Sequence, residues 1–218
     1  MTDATTARNI SRRWPLISSS AAVLLVIALG VIIALRGNGA LEPDTEWMDE
    51  ILEHRNPIWE VPSLIMNYIG AGWFAIALPA VIAAILLYVR RRWSALFLVL
   101  ASLVSAGTVQ LMKVLVGRPR PEFQIVQVDS GSFPSGHSAN AATIAAVLVI
   151  LFPRVWVWVV GILYTVAMML SRTYLGVHWV SDTIGGLLLG VAITVIIWAP
   201  LASRIQRERA RKPSTVDS

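Results

Sequence analysis

Apolar residues come in long blocks along this chain, separated by short polar or basic breaks. Leu16 to Leu35 is the first, preceded by Arg8, Arg12 and Arg13. As a helix rising about 1.5 Å per residue it reaches about 30 Å, enough to cross the hydrocarbon core of a bilayer. A cleaved signal peptide competes with this reading, but the block exceeds the usual ~7–15-residue signal core, which favours a retained span. Val61 to Ile69 is apolar and ends at Gly70-Ala-Gly72, which predicts a break before a second span from Trp73 to Val89. Arg90-Arg91-Arg92 stops that span, and a third follows from Trp93 to about Lys113. The fourth and fifth blocks, Ser138–Phe152 and Val155–Leu170, are short for a crossing. They become adequate only by extending into Gly136-His137 and Ser171–Tyr174. Pro153-Arg154 is the turn between them, and a sixth span runs from about Thr183 to Leu201. The expected fold is therefore all-α, an integral membrane bundle of six transmembrane helices occupying residues 16–201. A polar tail (1–15) and a basic tail (202–218) flank it.

The first outer loop, 37–60, carries Glu42, Asp44, Glu46, Asp49, Glu50, Glu53 and Glu60. Trp47, Met48, Ile51 and Leu52 recur within it at helical spacing. A short amphipathic helix at the interface and a solvated acidic loop with one sticky face fit equally well.

Composition agrees with a membrane protein: 56% of residues are hydrophobic and 14% charged. The chain has no cysteine, which excludes disulfides and thiolate metal sites. The net charge of +5 does not point to nucleic acid, because the basic residues sit in flanks between apolar blocks, where they set orientation. With six spans both termini share a side, which holds twelve Lys and Arg residues against six on the other. The positive-inside rule then makes the termini cytoplasmic in a multi-pass plasma-membrane protein.

Three polar islands interrupt the stretch 113–182 and fall together at the opposite, extracytoplasmic face. They are Lys113-Val-Leu-Val-Gly-Arg-Pro-Arg120-Pro121, Pro134-Ser-Gly-His137, and Ser171-Arg172 through His178 to Asp182. Ionisable groups in apolar surroundings are costly and usually functional. Lys113, Arg120 and Arg172 supply three positive charges suited to a phosphate, and Ser135 and Gly136 open the fourth helix, whose N-terminal amides can also hold an anion. Arg118 reads as a snorkelling residue at a helix end. His178 and Asp182, four apart, share a helix face, so the carboxylate can fix the imidazole tautomer and leave the other ring nitrogen free to attack. Neighbouring cations lower the pKa of His178 and Asp182 raises it, and sequence alone does not decide the net direction. His137 is available for a second proton transfer.

These islands resemble the signature of the type 2 phosphatidic acid phosphatase superfamily: Lys, six residues, Arg-Pro; then Pro-Ser-Gly-His; then Ser-Arg, five residues, His, three residues, Asp. Lys113 with Arg120-Pro121, Pro134–His137, and Ser171-Arg172 with His178 and Asp182 match it without gap or substitution. The motifs cover about a third of the chain. The resemblance implies a membrane lipid phosphatase in which His178 forms a phosphohistidine, Asp182 orients it and His137 protonates the leaving group. It further implies that Lys113, Arg120, Arg172 and the backbone at Ser135-Gly136 hold the phosphoryl oxygens. The family is similar to vanadate-dependent haloperoxidases at this site, and the resemblance implies no metal; no other cofactor and no obligate protein partner is evident in the sequence. The expected substrate is a membrane lipid phosphate or diphosphate of the undecaprenyl diphosphate, phosphatidylglycerol phosphate or phosphatidic acid type. Two other readings use the same residues: an anion or lipid transporter needing the cations but not the His178–Asp182 pair, and a metal site of His137, His178 and Asp182.

Overall fold

The computed structural model describes residues 3–128 and 130–210 as a bundle of eight helices. They are α1 (Asp3–Leu35), α2 (Glu42–Glu53), α3 (Pro57–Gly70), α4 (Gly72–Tyr88), α5 (Arg92–Val116), α6 (Gly136–Leu151), α7 (Val155–Tyr174) and α8 (Val180–Ala210). The expected all-α bundle is present, and its boundaries follow the chain's punctuation. Gly117, with φ +63°, ends α5 in the left-handed conformation that glycine adopts without a Cβ penalty. Asn56 caps α3 by accepting from the Ile58 amide at 3.0 Å. The acidic loop does contain a helix, α2, whose Asp44 and Met48 face inward.

Six crossings are not all present as long helices. Among the described residues four helices are long and apolar enough to cross a bilayer: Arg13–Leu35 within α1, then α5, α7 and α8. The pair α3 and α4, bent by 59° at the break anticipated around Ala71, passes the same test together and brings the number to five when counted as one broken span. α6 has only 16 residues and is a shorter apolar helix. Apolar side chains such as Leu24, Trp73, Ile85, Val155 and Val159 point outward, the pattern expected where lipid replaces water as solvent.

Helix extends into both flanking segments. α1 starts at Asp3 and runs through the residues expected to form a polar tail. α8 continues to Ala210, well past Leu201, while the remaining tail residues 211–218 lie outside the described residues. The extension of α8 does structural work. Glu208 accepts from the Trp93 amide at 2.6 Å and from the amide and hydroxyl of Ser94, each at 3.0 Å. A carboxylate on α8 thus satisfies the first amides of α5, which has no side-chain cap of its own.

α6 and α8 form the centre of the bundle. Two glycines of α8 let α6 approach to backbone contact. A Cβ on Gly186 would stand 2.4 Å from the Ser135 carbonyl oxygen, and one on Gly190 would stand 2.4 Å from the Ala139 carbonyl oxygen. Such small-residue contact is the usual means of packing helices where no hydrophobic force separates protein from lipid. One apolar cluster (Leu86, Phe97, Leu98, Val147, Leu151, Leu201) fills the end near the Glu208 cap. A second (Val26, Ile33, Val109, Met112, Phe133, Leu189) underlies the polar end.

Gly190→Ala should lower the thermal midpoint in detergent by several degrees, an overpacking cost of about 1–3 kcal/mol. Gly107→Ala on α5, where an added Cβ meets nothing within 4 Å, should hold or raise it. Differential scanning fluorimetry of the two variants checks the contrast.

Candidate active site

Asp182 opens α8 fully buried, and its main chain and side chain both bind elsewhere. Its carbonyl accepts from the Ser135 amide at 2.9 Å, which sets the start of α6 beside the start of α8. One carboxylate oxygen, Oδ2, accepts from the Trp179 amide at 2.9 Å and lies 3.4 Å from His178 Nδ1. The other, Oδ1, accepts from Arg118 Nη1 at 2.6 Å. A buried carboxylate needs this many donors, because an unpaired charge in an apolar interior costs several kcal/mol.

His178 lies in the connection between α7 and α8 and is 2% exposed. With Nδ1 donating to Asp182, the lone pair sits on Nε2, which lies 3.2 Å from Arg120 Nη1 and accepts from it. Burial is the largest influence and pulls the pKa of His178 down to about 4, with Arg120 and Lys113 lowering it further and Asp182 opposing. The imidazole is neutral at neutral pH, in the tautomer whose free nitrogen faces the cations.

Those cations are held by short polar segments. Lys113, in the last turn of α5, donates through Nζ to the Gly131 carbonyl. Arg120 donates from Nε to the Ser130 carbonyl at 2.8 Å, from Nη2 to Ser130 Oγ at 3.2 Å and to the Gly131 carbonyl at 3.3 Å, and from Nη1 to the Val177 carbonyl. Burial lowers its pKa, with Asp182 opposing. Arg172, 1% exposed on α7, donates from Nη1 to Asn67 Oδ1 at 2.7 Å and from Nε to Ser171 Oγ at 3.1 Å. Among the described residues its Nη2 has no hydrogen-bond partner, and neither does His137 Nε2. Ser135 caps α6, its Oγ accepting from the Ser138 amide at 3.4 Å and from the Ser138 hydroxyl at 3.1 Å. His137 follows in the first turn, so tightly packed that a Cβ on Gly70 would stand 2.5 Å from its ring.

A single cavity of about 550 Å³ joins these groups, lined by Lys113, Arg120, Gly136, His137, Arg172 and His178. It extends between α4 and α5 along Ile76, Pro79, Val99 and Leu103, so one end is cationic and the rest mainly apolar, with Ser102 and Gln110 among its walls. Every residue expected at the site is at this end of the bundle. Six of them line the cavity, while Ser135 and Asp182 are fully buried behind it.

Arg118 departs from expectation. It is not a snorkelling end residue but is completely buried, with Nη1 on Asp182 Oδ1 and Nη2 on Asp44 Oδ2, both at 2.6 Å. Snorkelling assumes that the interface is the nearest solvent, whereas here two carboxylates are nearer. Asn67, Ser130 and Gly131 hold the cations from outside the sequence motifs. The signal for Asn67 was present, as a lone amide within the apolar run 61–69. Ser130 and Gly131 contribute mainly backbone carbonyls, which leave no trace in residue type. Among the described residues, His137, His178 and Asp182 do not bring three ligand atoms within 4.8 Å of one another, as a shared metal site would need.

Residues 94–205 match the family model described as PAP2 superfamily. The chain is 33% identical over 142 residues to phosphatidylglycerophosphatase B of Bacillus subtilis, covering 61% of this chain and 70% of the relative. It is 34% identical over 146 residues to decaprenylphosphoryl-5-phosphoribose phosphatase of Mycobacterium tuberculosis, covering 65% and 76%. The crystal structure of a transmembrane PAP2-type phosphatidylglycerolphosphate phosphatase from Bacillus subtilis superimposes with a TM-score of 0.71 at 26% identity, over 89% of this chain and 98% of that one.

In protein carrying ¹⁵N-labelled histidine, the His178 ring should show a protonated Nδ1 and an unprotonated Nε2 from pH 8 down to at least pH 5.5. Its folded-state pKa is depressed, so charge appears only as pH falls through about 4. Titration centred near 6.5 would contradict this geometry.

Proposed function

We propose a phosphohistidine mechanism for this chain, which belongs to the PAP2 superfamily and is a multi-pass membrane lipid phosphatase, a phosphoric monoester hydrolase. The substrate's phosphoryl group lies among Lys113, Arg120, Arg172 and the amides at Ser135-Gly136, displacing Arg120 Nη1 from His178 Nε2. The unused Nη2 of Arg172 supports this placement, since a buried guanidinium nitrogen without a partner gains most from an anion.

The Nε2 lone pair of His178 forms an N–P bond as the P–O bond to the leaving group breaks. Charge spreads over the phosphoryl oxygens, where preorganised cations act most strongly. Asp182, bound to Nδ1–H, stabilises the ring as it becomes positive. His137, whose Nε2 has no internal partner, gives its proton to the departing oxygen. In the second step water attacks the phosphohistidine, His137 takes its proton, the N–P bond breaks and inorganic phosphate leaves.

The observation that carries this reading is the continuity of the cavity. A soluble phosphate would need only the cationic end, whereas a lipid phosphate would place its head there and its first chain carbons along Ile76, Val99 and Leu103. We assign the substrate to lipid phosphates or diphosphates of the phosphatidylglycerol phosphate, phosphatidic acid or polyprenyl diphosphate type. We further propose that α6 completes a sixth crossing, with its N-terminal loop finishing the span. Both termini are then cytoplasmic and the site faces outward, which agrees with the distribution of Lys and Arg along the chain.

Purified full-length protein in detergent should release phosphate from at least one of dioctanoyl phosphatidic acid, dioctanoyl phosphatidylglycerol phosphate and farnesyl diphosphate. It should do so in the presence of EDTA. His178→Ala should abolish both phosphate release and the acid-labile phosphoenzyme trapped from ³²P-labelled substrate. Retention of turnover by His178→Ala would overturn the mechanism and favour a binding or transport role. Loss of activity with EDTA that zinc restores would favour a metal centre.

A further inference from the structure

Asp44 lies on α2, the helix of the acidic outer loop, and is fully buried although its neighbours on that helix are mostly exposed. Its Oδ2 accepts from Arg118 Nη2 at 2.6 Å, from Ser181 Oγ at 2.8 Å and from the Leu41 amide at 3.1 Å, and its Oδ1 accepts from the Ser181 amide at 2.8 Å. Arg118 in turn donates from Nη1 to Asp182 Oδ1 and, at 2.8 Å, to Ser181 Oγ. A continuous buried chain therefore runs Asp44–Arg118–Asp182–His178. We propose that Asp44 is a positioning residue for phosphoryl transfer, acting through Arg118 on Asp182. The proposal rests on the phosphohistidine reading above.

The physical reason is charge. Arg118 alone would cancel the charge of Asp182 and weaken its hold on His178. Asp44 engages the other edge of the guanidinium, so two carboxylates and one cation leave a net charge of −1 beside the ring that becomes positive on phosphorylation. Geometry works the same way. Arg118, held from behind, occupies Oδ1 of Asp182 and leaves Oδ2 for Trp179 N–H and His178 Nδ1. Opposing groups surround His178 on its other sides: Lys113 from α5, Arg120 from the 117–135 connection, His137 from α6 and Arg172 from α7. Among the described residues the net negative charge of the Asp44 chain is the main counterweight to that cationic face. Asp44 itself exchanges no proton and forms no bond in the reaction.

The test is Asp44→Asn in the full-length protein, assayed on whichever of the three panel lipids turns over fastest. Its kcat should fall about 10- to 100-fold, as for outer partners that orient a reactive ligand, with KM within about threefold of wild type. The acid limb of the kcat profile should move to lower pH, because removing a negative charge disfavours the imidazolium. Asp44→Glu should recover part of the loss. A kcat within about twofold of wild type, or a loss confined to KM or to the thermal midpoint, would overturn the proposal. Should Asp44→Asn fail to fold, Ser181→Ala removes hydrogen bonds from Asp44 and Arg118 without changing charge. It should lower kcat about threefold at constant KM, and an unchanged kcat would count equally against the idea. A dead His178→Ala beside a fully active Asp44→Asn would sink this inference alone, whereas an active His178→Ala would sink the mechanism beneath it.

Discussion

The carboxylate of Asp182 cannot stay charged in an apolar bundle unless every part of it is bound, and that requirement assembles the polar end of this protein. Arg118, the Trp179 amide and His178 satisfy its side chain, and its own carbonyl receives the Ser135 amide. One residue at the head of α8 thereby fixes the connection after α5, the start of α6 and the segment after α7. Removing one partner from such a buried pair costs about 3–5 kcal/mol, so the arrangement constrains itself. The same contacts that keep Asp182 ionised also define the tautomer of His178.

Packing deeper in the bundle gives these contacts their precision. Gly186 and Gly190 bring the backbones of α6 and α8 together, so the first turn of α6, which bears Ser135, Gly136 and His137, has little freedom relative to α8. At the far end, Glu208 binds the first amides of α5 and holds that helix in register with α8. Lys113, in the last turn of α5, inherits its position from this anchor. An active site placed on helix ends gains rigidity only when the opposite ends are also tied.

The cavity then combines two environments that a lipid phosphate brings together in one molecule. Its cationic end concentrates Lys113, Arg120 and Arg172, while its walls between α4 and α5 are mainly apolar. Burial keeps His178 neutral among these cations, which preserves its lone pair at neutral pH. A more exposed imidazole with an ordinary pKa would be partly protonated, and to that extent unfit for the nucleophilic role proposed for it.

Sequence alone determined the all-α membrane character, most helix limits, the break before α4 and the three islands that converge. Apolar block length and motif spacing are properties of contiguous residues, and local physics reads them directly. Tertiary structure decided what depends on partners distant in the chain. Arg118 resembled a helix-end cation until Asp44, 74 positions away, and Asp182, 64 positions away, were seen to enclose it. Ser130 and Gly131 hold the cations mainly through carbonyls that every residue possesses. The contact of Glu208 with the first amides of α5 joins positions more than a hundred residues apart, whereas the extension of the short fourth block to Gly136 was already required by its length. Whether a charge is exposed or enclosed, and so what its proton affinity becomes, is set by groups that only folding brings within a few ångströms.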